Sequence, residues 1–284
     1  MDDALLVLLL TAAACAPLGV FLILRRLSMM ADAISHTVLL GIVLAFFVTH
    51  DLSSPWLLFG AALMGVVTVS LVELLGKTSL VKYDDAIGVI FPLLFALAVI
   101  LISKYAGNAH LDTDMVLMGE VIYAGLNTVG IGGVEIPAAA LKMGGLALLI
   151  AVFITVFYKE LKVSTFDGEY ARLIGVPTGI LFYTFMSLTS LTTVAAFDAV
   201  GAILVISFFI APGATALLFT KHLSHTILLA LLVSMVNSAL GYALAVHMNA
   251  SIAGLCAVIN MLVYLLALLM GPKGAVTTYI RRKR

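Results

Sequence analysis

This chain carries little charge. Its 284 residues include only 15 basic and 15 acidic side chains, against 63% apolar residues and a mean hydropathy of +1.21. No soluble core requires that much Leu, Ala, Val and Ile, so a soluble globular domain is excluded and an integral membrane protein follows. Cysteine is nearly absent too. Cys15 and Cys256 lie in separate apolar runs, which leaves no disulfide framework and no metal-spaced cysteine cluster, and both read as small packing residues. Gly76-Lys77-Thr78 matches only the tail of a phosphate-binding loop, because Leu71 stands where that motif needs glycine and no soluble strand precedes it. No Ser-His-Asp elbow, HExxH or GxGxxG occurs, so the sequence offers no enzyme chemistry of its own, and nothing in it marks a nucleic-acid surface.

What is present is a series of apolar runs long enough to cross about 30 Å of hydrocarbon. Nine are expected, over 4–24, 29–49, 55–76, 85–103, 136–158, 178–197, 200–220, 226–248 and 251–270. The first has a small-residue run at Thr11-Ala12-Ala13-Ala14-Cys15 like a secretory leader, but its start is acidic and its apolar stretch continues to Leu24, so it reads as a spanning helix. All the basic residues except Lys104 and Lys142 fall in alternate connections, which predicts an outside N-terminus and a cytoplasmic C-terminus. The opposite connections carry Asp2, Asp3, Asp51, Asp112, Asp114 and Glu135. That acidic rim would concentrate cations, although exclusion of bases from that side explains it equally well.

Two connections do more than turn the chain. The outer one, 104–135, holds the apolar piece 115–126, too short to span and therefore expected to be re-entrant or interfacial. Inside, 159–177 carries a short amphipathic helix that Ser164 or Thr165 can cap, Gly175 can end and Pro177 blocks from continuing. Such a helix has the form of a docking element, and equally of one that merely lies on the surface.

The main functional candidate is Met29-Met30-Ala31-Asp32-Ala33-Ile34-Ser35-His36-Thr37-Val38-Leu39-Leu40, which sets an acid and an imidazole inside a membrane-length apolar stretch. A charged group in a spanning helix costs roughly 2.5–3.5 kcal/mol at the bilayer centre, so such residues usually mark an ion or proton route. Residues four apart share one helix face, so Asp32 and His36 can address one ion together. Carboxylate and neutral imidazole suit zinc, manganese and iron better than sodium or calcium. Two donors are too few for a tight site, so either other helices contribute or the pair is a weak transit site. The plainer alternative is an Asp–His clamp between helices. Glu120 is a further candidate because a re-entrant segment turns toward the bundle axis. Asp198 reads as a solvated cap and Glu73 as a snorkelling carboxylate. His110 and His247 read as surface residues, whereas His50 with Asp51 could hand an ion inward. The small-residue run Gly201 to Ala216 with Pro212 predicts a tight, kinked bundle.

The blocks Leu27-Ser28-Met29-Met30-Ala31-Asp32-Ala33-Ile34-Ser35-His36, Asp85-Ala86-Ile87-Gly88, Phe166-Asp167 through Pro177, and Val200-Gly201-Ala202-Ile203-Leu204-Val205 running into Pro212-Gly213-Ala214-Thr215-Ala216 resemble the permease family of ABC importers for manganese, zinc and iron. The resemblance spans nearly the whole chain. It implies an all-α polytopic membrane protein of about eight to nine transmembrane helices, like a type II ABC importer permease. It further implies a bacterial cytoplasmic-membrane uptake system with a second permease subunit, identical or paralogous, a cytoplasmic ATPase dimer and an extracellular or periplasmic metal-binding protein. By the same resemblance Asp32 and His36 line the path, and Phe166, Asp167, Glu169, Arg172 and Gly175 belong to a helix that couples to the ATPase. Gly119-Glu120 is similar to the branch linked with manganese. The transported ion is then Mn2+ or Zn2+, with Fe2+ next, and no cofactor is held permanently. A proton-coupled secondary carrier using Asp32, His36 and Glu120 is the alternative from another class, and a scaffolding subunit is a third.

Overall fold

The protein is described from a computed structural model. It describes residues 3–51, 54, 56–78, 81–105, 128–131 and 134–272. Among them the elements are α1 Asp3–Leu24, α2 Ser28–Thr49, α3 Trp56–Gly76, α4 Tyr83–Tyr105, β1 Thr128–Ile131, β2 Val134–Pro137, α5 Ala138–Val156, α6 Tyr158–Phe166, α7 Gly168–Leu173, α8 Thr178–Val200, α9 Ala202–Phe219, α10 Leu223–Met248 and α11 Ile252–Met270. Nine of these helices are long and apolar enough to cross a membrane, and they correspond to the nine expected spans. The architecture is thus helical apart from one hairpin, β1 against β2 with Thr128 opposite Pro137 and Ile131 opposite Val134, which the all-α expectation did not contain. The expected re-entrant piece 115–126 lies outside the described residues.

Helix α1 is the hub. It packs against α5, α8, α9 and α10, and its Leu8, Leu18, Phe21 and Leu22 are shut away from any solvent or lipid. Lipid is as apolar as leucine, so what holds such helices together is close van der Waals fit rather than water exclusion. The fit comes from small residues: Gly19 of α1 lies against the backbone of Phe209 in α9, where a Cβ would collide, and Gly213 of α9 lies against Val20 and Ile23 of α1. The small-residue run thus serves the packing that the sequence predicted. Helices α9, α10 and α11 pack on one another, while α2, α3 and α4 form a second group that reaches the hub through α8.

Several boundaries correct the sequence reading. Helix α8 continues through Asp198 to Val200, and Gly201 alone, at φ +83°, separates it from α9. The positive φ is one glycine adopts without the Cβ clash other residues suffer. Asp198 is therefore inside the last turn of α8 and not a cap, and it pairs with Lys142 of α5 at 3.3 Å. The inner connection forms two short helices, α6 and α7. The cap of α7 is Asp167, whose Oδ1 accepts the Tyr170 N–H at 2.9 Å. Ser164 and Thr165 instead donate back to the Leu161 carbonyl inside α6. Gly175, at φ +85°, ends α7 as expected. Glu73 does not merely snorkel: its carboxylate meets Lys77 at 2.6 Å and raises that lysine's pKa.

Candidate functional site

The α1–α2 turn is three residues long, with Arg26 at φ +60°, and its amides donate back to Phe21, Ile23 and Leu22 carbonyls of α1. This tight turn starts α2 at Ser28 and fixes Asp32 about 6 Å, and His36 about 12 Å, along its axis. The pair therefore sits in the half of the span nearest this turn. Ser35 donates to the Asp32 carbonyl, which leaves the Asp32 carboxylate for other partners.

The two side chains do share one face. His36 Nε2 stands 3.6 Å from an Asp32 carboxylate oxygen, with 33% of the His36 side chain and 26% of the Asp32 side chain exposed. A hydrogen bond between them would need about 3.2 Å or less, so the two lie side by side without one, and a neutral imidazole keeps a nitrogen lone pair beside the carboxylate oxygens. Neither group makes a hydrogen bond among the described residues. The imidazole is held by rings of α4: the centroids of Phe91 and Phe95 both lie 5.6 Å from that of His36, one tilted and one edge-on. Phe91 and Phe95 are one turn apart, so α4 offers His36 an aromatic wall that restricts its orientation without competing for its nitrogens.

What holds α2 in place is as specific as the pair itself. Gly41 of α2 and Gly60 of α3 meet backbone to backbone. Above them the hydroxyl of Thr68 donates to Thr37 at 2.7 Å. Gly65 makes room for Ser190 of α8, which donates to the Ala62 carbonyl at 3.0 Å. Helix α2 thus rests on two closely fitted neighbours, α3 and α8, while α4, itself a largely exposed helix, supplies the aromatic wall.

Of the other expected residues, Glu120 lies outside the described residues. Among the described residues no group of three or more His, Cys, Asp or Glu side chains gathers to hold a metal. Phe166 ends α6, and Asp167, Glu169 and Arg172 stand exposed on or beside α7, with Tyr170, Leu173 and Ile174 forming an apolar exposed strip among them. Arg172 Nε donates to Thr178 at 3.3 Å, tying this segment to the start of α8. Gly76-Lys77-Thr78 closes α3 and has no phosphate-loop surroundings. His50 ends α2 in a left-handed turn at the far end from His36. Sequence reasoning missed Phe91 and Phe95. Their signal was only the i, i+4 spacing of aromatics on an apolar helix, and core packing produces the same spacing.

A multi-span helical bundle carrying an acid–imidazole pair on a half-open face belongs to the class of membrane transport proteins. Comparison with known proteins narrows this: the chain belongs to the ABC 3 transport family, whose model matches residues 1–271. It is 43% identical over 270 residues to the manganese transport system membrane protein MntD of Bacillus subtilis, covering 95% of this chain and 91% of that one. It is 44% identical over 274 residues to the zinc transport system membrane protein TroD of Treponema pallidum, covering 96% and 75%. Among solved structures, PsaBC from Streptococcus pneumoniae in complex with Fab aligns with a TM-score of 0.80 at 28% identity over 100% of this chain and 95% of that one.

Proposed function

We propose that the chain is the permease subunit of an ATP-driven importer that moves a divalent transition-metal ion inward, with manganese favoured and zinc or iron next. The observation that carries this reading is the Asp32–His36 pair: two donors of borderline character, 3.6 Å apart, partly exposed and not hydrogen-bonded to each other. A sealed helix clamp would be buried and hydrogen-bonded, and this pair is neither.

Two donors hold an ion too weakly to select it, and a ring of four is the usual minimum for a transition metal. A second permease subunit, identical or paralogous, supplies the others in the simplest arrangement, because two-fold pairing presents the same patch twice. Glu120 remains a further candidate donor. The relatives name both manganese and zinc systems. Carboxylate and imidazole serve both ions, so geometry and not raw affinity sets the choice.

Energy enters from a partner, since this chain carries no nucleotide-binding motif. Phe166, Asp167, Glu169 and Arg172 offer an ATPase dimer an exposed mixed surface, and Gly175 sets where that surface stops. The basic connections support an orientation with this surface and the C-terminus in the cytoplasm and the N-terminus outside, in a bacterial cytoplasmic membrane. A metal-binding protein then delivers the ion to the outer face.

The test is Mn2+ uptake into vesicles holding the permease with its ATPase and binding protein. Uptake that needs ATP and ceases in Asp32→Ala and His36→Ala supports the reading. Uptake by the chain alone, driven by a proton gradient, overturns it in favour of a secondary carrier.

A further inference from the structure

Arg25, in the turn between α1 and α2, reaches away from both. Its Nε donates to Thr165 Oγ1 at 3.1 Å and a terminal nitrogen donates to Ser164 Oγ at 2.9 Å, both on α6. Its guanidinium carbon also lies 5.5 Å from the centre of the Phe185 ring on α8. Burial lowers its pKa to about 10, which still leaves it charged at neutral pH.

This cation is under-compensated. Two neutral hydroxyls and a ring face offset less of the cost of sequestering a guanidinium than a carboxylate does. None of the ion pairs among the described residues includes it. One turn earlier on the same face of α6 stands Glu160, whose Oε2 is buried and has no hydrogen-bond partner. Along α6, Glu160 thus stands one helical turn, about 6 Å, from Ser164, one of the two hydroxyls that take Arg25.

We propose that Arg25 is a two-station strut: it holds Ser164 and Thr165 in the conformation described, takes Glu160 in the alternate one, and so carries displacement of α6 into α2. The lever is short. Arg25 precedes Leu27, the residue before α2, by two positions, and Asp32 follows a little more than one turn into the helix. A rigid helix with two discrete anchor points is the kind of element that transmits a bias between sites. Arg25 is a positioning residue here, because it touches neither the ion nor the proposed ATPase surface.

The inference rests on the importer reading, and the experiment separates the two. The permease is reconstituted with its ATPase and binding protein, and Mn2+ uptake and phosphate release are measured in the same vesicles. Arg25→Gln and Glu160→Gln are each expected to assemble and hydrolyse ATP while Mn2+ delivered per ATP falls about tenfold, within the usual range of inter-site coupling. The double variant should fall no lower than Arg25→Gln alone, since both changes remove one contact. Arg25→Lys, which keeps charge but not the two-pronged geometry, should recover part of the ratio. Uptake and hydrolysis that decline in parallel, or losses that multiply in the double variant, overturn the strut. If Arg25→Gln does not assemble, Glu160→Gln and Arg25→Lys carry the same comparison. Absence of ATP-dependent uptake in the unaltered complex counts against the importer reading instead.

Discussion

Two of the polar groupings among the described residues are built in opposite ways. Between α9, α10 and α11, Asn237 donates to Asn260 at 2.8 Å and Asn260 donates to Ser207 at 3.0 Å, with both asparagines sealed from the surroundings. On α2, Asp32 and His36 are ionisable, partly exposed and too far apart to hydrogen-bond. The first grouping satisfies itself and so acts as glue between helices. The second leaves its lone pairs open in a place where open lone pairs are costly, which is the pattern of a group kept for a passing ligand. Polarity within a membrane therefore does not by itself mark function; the state of satisfaction does.

The contrast can be broken in four places. The largest effect is expected from Asp32→Ala or His36→Ala, which should cut Mn2+ uptake by about 100-fold or more, given that even outer partners of a metal site are worth 10–100-fold. Thermal stability in detergent should stay unchanged, and a matching loss of stability would make the pair a second piece of glue. Next, Gly41→Leu should force α2 from α3 at its contact with Gly60 and lower both folded yield and uptake, read by size-exclusion profile and transport together. Third, Phe95→Leu should reduce uptake by roughly two- to twelvefold, the equivalent of an aromatic contact of about 0.5–1.5 kcal/mol, with little change in stability. The smallest effect belongs to the sealed chain. Asn237→Leu should lower stability by about 0.6–1.7 kcal/mol, the range of interhelical hydrogen bonds in membranes, while uptake per folded molecule persists. Loss of transport in a stable Asn237→Leu protein would erase the distinction drawn above.

The parts of this design that could be read from residues alone are those governed by one segment at a time. Span length, the alternation of basic connections and the i, i+4 spacing of Asp32 and His36 are properties of a local stretch, and they located the helices and the pair. Ends were less legible. Ser164, Thr165 and Asp167 are all competent caps, and the cap is Asp167 because α6 runs on through Phe166 and keeps Ser164 and Thr165 inside it, where Arg25, 140 residues from Thr165, also donates to their hydroxyls. Asp198 looked like a cap for the same reason: its partner Lys142 is on another helix. The aromatic wall of Phe91 and Phe95 and the Asn237–Asn260–Ser207 chain were invisible because each exists only once distant helices are in register. Such pairings are not written in any single window of sequence.

The one-residue link at Gly201 has a consequence for how the protein is made. Helix α8 carries Thr189, Ser190, Thr192 and Thr193, a polar cargo for a segment that must leave the translocation machinery for lipid, whereas α9 is almost wholly apolar. With a single residue between them the two cannot partition separately. The second helix acts as escort for the first, and the three threonines of the strip can satisfy their hydroxyls on carbonyls of their own helix, leaving Ser190 alone to find its partner on α3.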